Sequence, residues 1–484
     1  MEITLSGQRR WLAAICLFFA LAALSQAWVC EDAYITFRVI DNFLGGYGLR
    51  WNVHERVQAY THPLWLLLEA LLFSVWDNLF LVSIALGVAC STAAVAITLN
   101  TNKRPPLAVI GCFLLPLLAS KSFMHYTTAG MENALSCLMF AVFGYLLLNM
   151  RHHRRFWFYL SFTVSLAMLT RLDSAILYAP VILYLIWEDR KTLPCRQIAS
   201  GLLPLFLWLA FALFYYGFVF PNPKYAKLDT GLPLYLYLRQ GMFYAKHLLF
   251  WDTPGAMLLA LPLFVLRQNV QARALNASLA LGIYLYIGYV IMIGGDYMGG
   301  RFWALPIFAS AWLWYTRWPG DFRQRAQIIF LCVLVLAWAM PFQYREIRAH
   351  CSACNVNGSK VIDARAGFKK NALVDSWSPL RLRAEGEYRL ADKGRELAVA
   401  ARPVASLYTV GMIGYYAGPQ VTIVDELGLT DPLLARLPVK KYGFYIGHFR
   451  RVVPPGYLDC LTGSCQSMPE PLARYYEKLH LITA

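Results

Sequence analysis

Charge is scarce in this chain. Only 15% of the 484 residues are Asp, Glu, Lys or Arg, against about 25% in soluble globular proteins, so an ordinary soluble fold is excluded. There is no Walker loop, no dinucleotide fingerprint and no HExxH, which leaves P-loop phosphoryl transfer, nicotinamide redox chemistry and zincin hydrolysis without a sequence basis. Internal repeats and low-complexity tracts are absent as well. The eleven cysteines make no framework, because Cys16, Cys90, Cys112, Cys137 and Cys332 stand singly in apolar segments, where Cys behaves as a small hydrophobe. The other six include two close pairs, Cys351 with Cys354 and Cys460 with Cys465. Their spacing suits a zinc site or two disulfides, and an oxidising compartment favours the disulfides.

What the chain has is apolar length, with 58% hydrophobic residues. The net charge of +16 is spread over short basic clusters between apolar runs, the positive-inside pattern of a membrane protein rather than a nucleic-acid surface. Trp11 to Val29 is uncharged after Arg9 and Arg10 and long enough to cross the hydrocarbon core, although Ser25-Gln26-Ala27 leaves a cleaved signal peptide as the alternative. Pro63 to Trp76 is short and carries Glu69, which predicts an interfacial or re-entrant helix. Further spans are expected near 78–100, 105–120, 131–150, 156–170, 174–187, 198–219, 254–266, 276–294, 302–316 and 326–342. About eleven spans result, with the N-terminus inside and the C-terminus outside. The predicted class is a polytopic α-helical membrane protein, residues 1–342, followed by a soluble α/β domain, residues 343–484, with strands at SLYTVGMIGYYA and QVTIVDEL.

With this topology five loops gather at the outer face. The first, 30–78, opens on Glu31 and Asp32 at the end of a span, with Arg38 close behind. Charges so near lipid are costly and mark functional sites. The others read HYTTAGMEN (125–133), TRLDS (170–174), FPNPKYAKLD (220–229) and GGDYMGGR (294–301). An enzyme at this face has no nucleotide sugar available, so an activated donor has to arrive in the bilayer, and a lipid-linked phosphosugar satisfies this. Transfer then needs a carboxylate to take the acceptor hydroxyl proton, cations to hold the departing phosphate, and stabilisation of an oxocarbenium-like transition state.

Glu31 and Asp32 are the catalytic candidates. Arg38, Lys224, Lys227, Arg171 and Arg301 are candidates for the donor phosphate, and Tyr34, His62, Glu132, Asp173, Tyr225 and Asp296 for other substrate contacts. Each has a structural alternative. Arg38 suits snorkelling; Arg171 with Asp173, and Arg301 with Asp296, suit mutual pairing near lipid; Glu132 suits a helix N-terminus; His62 suits a loop hydrogen bond. No cofactor is demanded, although outer-face acids with a donor phosphate also suit a divalent cation.

The run Glu31-Asp32-Ala33-Tyr34-Ile35-Thr36-Phe37-Arg38, with Gly48, Asn52, Glu55-Arg56-Val57 and Tyr60-Thr61-His62-Pro63-Leu64-Trp65, resembles the first outer loop of bacterial GT-C membrane glycosyltransferases, in particular the arabinofuranosyltransferases. These include the terminal arabinan enzyme of actinobacterial cell walls and a pilin-modifying relative in pseudomonads. The resemblance continues through Gly130-Met131-Glu132, Thr170-Arg171-Leu172-Asp173, Pro221 to Lys227, Gly295-Asp296-Tyr297 with Arg301, Gly411 to Tyr416, and Val424 to Pro432. It implies a GT-C membrane domain with a periplasmic C-terminal domain in the bacterial inner membrane. It further implies a polyprenyl monophosphate sugar donor, D-arabinofuranose in this branch, and a glycan or glycoprotein acceptor. The family's acidic pair carries over to Glu31 and Asp32, of which Asp32 is the preferred catalytic residue. Three positions depart from the family's pattern: Glu31 where Asp is usual, His62 where Ser is frequent, and Leu172 where Pro stands in an Arg-Pro-Asp run. Transfer of another polyprenyl-phosphate sugar is the alternative within enzymes. A lipid-linked sugar transporter or flippase is the alternative outside them, and would place its charges near mid-membrane on broken helices.

Overall fold

The computed structural model describes residues 5–101, 107–265, 273–317, 355–356, 359–368, 372–374, 389–400, 404–439, 446–463, 465 and 467–484. The expected span at 326–342, the boundary between 342 and 343, and the Cys351/Cys354 pair lie outside these residues.

The described membrane part is built of fifteen α-helices: α1 (Leu5–Ser25), α2 (Ala33–Leu44), α3 (Pro63–Phe73), α4 (Leu79–Thr101), α5 (Leu107–Ala119), α6 (Lys121–His125), α7 (Asn133–Asn149), α8 (Phe156–Thr170), α9 (Ala175–Glu188), α10 (Cys195–Tyr216), α11 (Asn222–Leu228), α12 (Leu234–Trp251), α13 (Thr253–Val265), α14 (Arg273–Met292) and α15 (Ala304–Thr316). Among the described residues, α4, α10 and α14 are long and apolar enough to cross a bilayer alone. Other predicted runs form shorter apolar helices, among them α7 and α8. Helix α8 packs along α10, α4 along α7, and α9 along α14.

The Pro63 run forms the short helix expected, with Pro63 in its first turn, where its missing N–H costs nothing. Apolar run length did not announce α12, whose pattern is interrupted by Arg239, Lys246 and His247. It meets α13 at a bend of 109°. The bend is held by buried Asp252, whose carboxylate accepts from Ser120 Oγ at 2.7 Å, the Ser122 amide at 2.8 Å and the Gly255 amide at 3.1 Å. It thereby caps α13 and ties the bend to α6.

In the C-terminal part, strands Val404–Leu407 and Thr422–Asp425 pair in parallel and are joined by the helix Gly411–Ala417. The strand expected over SLYTVGMIGYYA therefore ends at Leu407 and gives way to a helix. Tertiary contact decides this: a Cβ on Gly411 would lie 2.3 Å from the Glu31 carbonyl oxygen, and one on Gly414 2.6 Å from the Trp51 ring. The two glycines let this helix lie directly on α2, where its Tyr415 ring meets Tyr34 edge-on at 5.6 Å.

One apolar core runs from Phe19, Phe140 and Trp312 between the membrane helices to Met412, Ile413 and Ile423 in the C-terminal part. A smaller core under Leu433, Leu434, Tyr457 and Tyr476 completes the latter. Cys460 and Cys465 form a disulfide.

Candidate active site

Four of the five outer loops converge on Asp32. It sits at the start of α2, after the chain is pinned to the loop before α7 by the Cys30 amide on the Ala129 carbonyl, 2.9 Å. Its Oδ1 accepts from the Tyr297 hydroxyl at 2.9 Å, and its Oδ2 lies 3.5 Å from Arg301 Nη1. The turn that delivers Tyr297 passes through Gly295 at φ +70, where a Cβ would lie 2.4 Å from the Tyr244 ring; only glycine fits there.

Behind Asp32 lies a buried ionic network. Arg301 Nη1 is 3.1 Å from Asp296 Oδ2, and its Nη2 is 3.7 Å from Glu132 Oε1. Glu132 also meets Arg171 Nη1 at 2.7 Å and His62 Nδ1 at 3.1 Å, while His62 Nε2 reaches Thr36 Oγ1 at 2.9 Å. Arg171 forks onto Asp173 at 2.9 and 2.6 Å, the strong bidentate geometry. Burial pushes the Glu132 carboxyl up, but His62, Arg301 and Arg171 outweigh it and hold it well below the usual range. Both expected acid and arginine pairings therefore form, and Glu132 serves the ion pairs rather than capping α7.

Glu31 is spent differently from Asp32. Its Oε1 accepts from the Met412 amide at 3.0 Å, at the N-terminus of the helix Gly411–Ala417. Burial first, and the neighbouring Asp32 second, push its carboxyl up to about 8.

Three neighbouring spaces border this centre. The largest, about 440 Å³, has apolar walls that include Ile176, Leu205, Trp208 and Ile293, and a polar end with Arg171, Asp173, Lys224, Lys227, Asp296 and Arg301. A second, of about 50 Å³, holds Asp32, Tyr60 and His62, and shares Thr61, Pro223, Lys227 and Arg301 with the first. A third, of about 20 Å³, touches Glu31, Asp32, Tyr297, Tyr408 and His448, and shares Lys227. Lys227 thus borders all three, and among the described residues its ammonium enters no ion pair. Lys224 instead pairs with Asp229 at 2.8 Å. Both lysines are placed by α11, which Asn222 anchors through Nδ2 to the carbonyls of Gly428 and Asp431, at 2.9 and 3.0 Å.

Three expected site residues are placed elsewhere. Arg38, expected at the phosphate, is buried in the seam with the C-terminal part. Its three nitrogens donate to the carbonyls of Trp51 (2.9 Å), Gly414 (2.7 Å) and Val421 (2.8 Å). Tyr34, expected against substrate, is buried between Phe37 and Tyr415. Tyr225 packs on Phe218 and under Arg436, away from the large cavity. Their placement follows from contacts between distant segments, which leave no mark on local sequence. Conversely Tyr297, Tyr408 and His448 border Asp32's surroundings without having been candidates. Tyr297 stood within a noted motif; the other two carried no local signal.

No family model matches the chain. Two curated proteins are similar in sequence, both named terminal β-(1→2)-arabinofuranosyltransferase. The one from Mycobacterium tuberculosis is 24% identical, with 93% of this chain and 88% of that protein aligned. The one from Corynebacterium glutamicum is 27% identical over 60% of this chain and 48% of that protein. In three dimensions the chain resembles ArnT from Cupriavidus metallidurans, solved bound to undecaprenyl phosphate. The TM-score is 0.51 at 10% identity, with 89% of this chain and 77% of ArnT superposed. A GT-C fold shared with ArnT, and sequence kinship that runs along most of the chain, make this protein a multi-pass membrane glycosyltransferase similar to the arabinofuranosyltransferases.

Proposed function

We propose that the chain moves D-arabinofuranose from a polyprenyl monophosphate to a hydroxyl of a cell-envelope glycan or surface protein, at the outer face of the bacterial inner membrane. The observation that carries this reading is the place of Asp32, beside a small space that shares Lys227 and Arg301 with a large, mostly apolar cavity. The names of the two sequence relatives support the sugar, and the lipid bound to ArnT supports the carrier.

In this reading the polyprenyl chain lies along Leu205, Trp208 and Ile293, and its phosphate meets Lys227 and Arg301. Asp32 accepts the proton of the acceptor hydroxyl. The acceptor oxygen bonds to the anomeric carbon as the bond from that carbon to the phosphate oxygen breaks. The polyprenyl phosphate departs as an anion, its charge met by Lys227 and Arg301. Buried Glu132 and Asp296, with half-buried Asp173, keep the guanidinium groups in place. Were a divalent cation to accompany the donor phosphate, Asp32 is the carboxylate that would hold it.

The test is transfer of radiolabelled arabinose from synthetic polyprenyl-phosphoarabinose to an oligo-arabinoside by purified protein. Wild type is expected to transfer, and Asp32→Asn to bind donor while losing about 10²- to 10⁴-fold in rate. Equal transfer by both proteins would overturn Asp32 as the base. Donor bound but never transferred by wild type would overturn the arabinan acceptor, and failure with every acceptor would leave the flippase reading.

A further inference from the structure

We propose that α12 lies flat in the outer interface of the bilayer and binds anionic phospholipid headgroups through Arg239 and Lys246, and that this contact steadies Lys227 and Arg301. The headgroup surface stands on α12 itself; its effect on turnover rests on the transferase reading above.

Two observations lay the helix in the plane of the membrane. With α13 crossing the bilayer, as expected of the run 254–266, the bend of 109° between α12 and α13 turns α12 nearly parallel to the surface. Its middle then crosses the end of α14, where a Cβ on Gly241 would collide with the Ile291 carbonyl oxygen. Glycine alone lets the two backbones meet there.

The side chains sort by face in the same sense. At about 100° per residue, Leu234, Tyr235, Leu238, Met242 and Leu249 fall in one strip along α12, and each is at least 40% exposed. Acyl chains cover such a strip, which water would not. Arg239 and Lys246, two turns apart, are exposed along one edge of it. Among the described residues neither is paired with a carboxylate, and α12 contains no Asp or Glu. A basic edge beside an apolar face sinks the face into the acyl layer and keeps the cations at the level of the phosphates. Anionic headgroups complement that edge, whereas a zwitterionic surface brings no net charge to it. None of these seven side chains lines the large cavity, so the headgroups they meet belong to surrounding phospholipid and not to the donor.

The opposite face of α12 is fastened to the active site. Tyr237 and Tyr244, also two turns apart, are buried. The Tyr237 hydroxyl donates to the Lys227 carbonyl at 3.0 Å. The Tyr244 hydroxyl donates to the Met298 carbonyl at 3.1 Å and accepts from the Phe302 amide at 3.2 Å, on either side of Arg301 in the chain. One helix thus carries the headgroup contacts on one face and the backbone of both phosphate cations on the other. Lipid that holds α12 at its depth holds Lys227 and Arg301 at theirs.

The experiment places the full-length protein in nanodiscs of phosphatidylcholine, alone or mixed equally with phosphatidylglycerol. It compares wild type with the double variants Arg239→Gln/Lys246→Gln and Arg239→Lys/Lys246→Arg. Native mass spectrometry reads which lipid stays on protein released from the mixed discs, and transfer kinetics read the donor KM. Wild type is expected to retain phosphatidylglycerol over phosphatidylcholine, and the Gln variant to lose about tenfold of that preference, the scale of two cations at an anionic surface. Adding phosphatidylglycerol should lower the donor KM several-fold in wild type and leave it unchanged in the Gln variant. Tm in detergent and transfer in pure phosphatidylcholine should be equal in all three proteins, and the charge-keeping variant should follow wild type throughout. Equal lipid retention by wild type and the Gln variant overturns the headgroup surface. So does a wild-type dimer on size exclusion that Met242→Arg dissociates, because a second copy of the chain would then cover the face. Selective retention with no change in donor KM overturns the coupling to Lys227 and Arg301. Failure of wild type to transfer in either disc refutes the transferase reading instead, and the lipid retention still decides the headgroup surface.

Discussion

At the scale of single residues, the acidic pair divides its labour. Asp32 lines two small spaces beside the large cavity, whereas Glu31 holds the Met412 amide and is pushed up to about 8 by burial and by Asp32. A carboxyl protonated at neutral pH is closely imitated by an amide, so Glu31→Gln is expected to keep transfer within about threefold of wild type, against the large loss in Asp32→Asn. The sign of the pH effect follows from linkage. Because the folded value lies above the ordinary 4.5, the folded state holds the proton more tightly, and the associated stability is present at low pH and lost as pH rises towards about 8. Thermal melts should therefore fall more steeply between pH 5 and pH 9 in wild type than in Glu31→Gln; parallel slopes would contradict the assignment. Arg38 belongs to the same scale. Lys cannot reproduce three carbonyl contacts from one planar group, so Arg38→Lys should lose on the order of 3 kcal/mol, read as a lowered Tm, with donor KM unaltered in the surviving activity. A raised donor KM at unchanged Tm would return Arg38 to the phosphate.

At the scale of elements, the site is assembled by short pieces that meet α2. The helix Gly411–Ala417 reaches α2 only because two of its residues lack a Cβ. Gly411→Ala would press a methyl group to 2.3 Å from the Glu31 carbonyl oxygen, backbone that cannot swing aside, and is expected to lower both Tm and transfer rate, with overpacking costs of about 1–3 kcal/mol. Gly367→Ala, where a Cβ meets nothing within 4 Å, should leave both unchanged. If the two substitutions behave alike, the close approach at α2 is not what secures the helix. The segment around Gly411 also shows where local reading ends. Its β-branched and aromatic residues fit a strand by propensity, and packing against Trp51 and Tyr34 overrides that preference.

At the scale of the whole molecule, the membrane and C-terminal parts share one core. Ending the chain at residue 400 would strip Met412 and Ile413 from α2 and remove two of the three carbonyl partners of Arg38, those of Gly414 and Val421. The truncated protein is expected to aggregate on size exclusion in detergent. A monodisperse product that still binds donor would instead show two separable domains.

The sequence by itself determined the membrane class, the GT-C resemblance and the gathering of charged loops at one face, because apolar run length, basic clusters and acids beside lipid are local features whose energetic cost is the same in any fold. Arg171 with Asp173, and Arg301 with Asp296, were legible for the same reason, since partners two to five residues apart meet with little help. Only the tertiary structure decided that Glu31 turns to the Met412 amide while Asp32 meets Tyr297 and Arg301, that Arg38 closes a seam, and that Tyr408 and His448 stand near Asp32. Those outcomes depend on burial and on contacts across hundreds of residues, where a side chain's role is set by the neighbour it meets and not by its own chemistry.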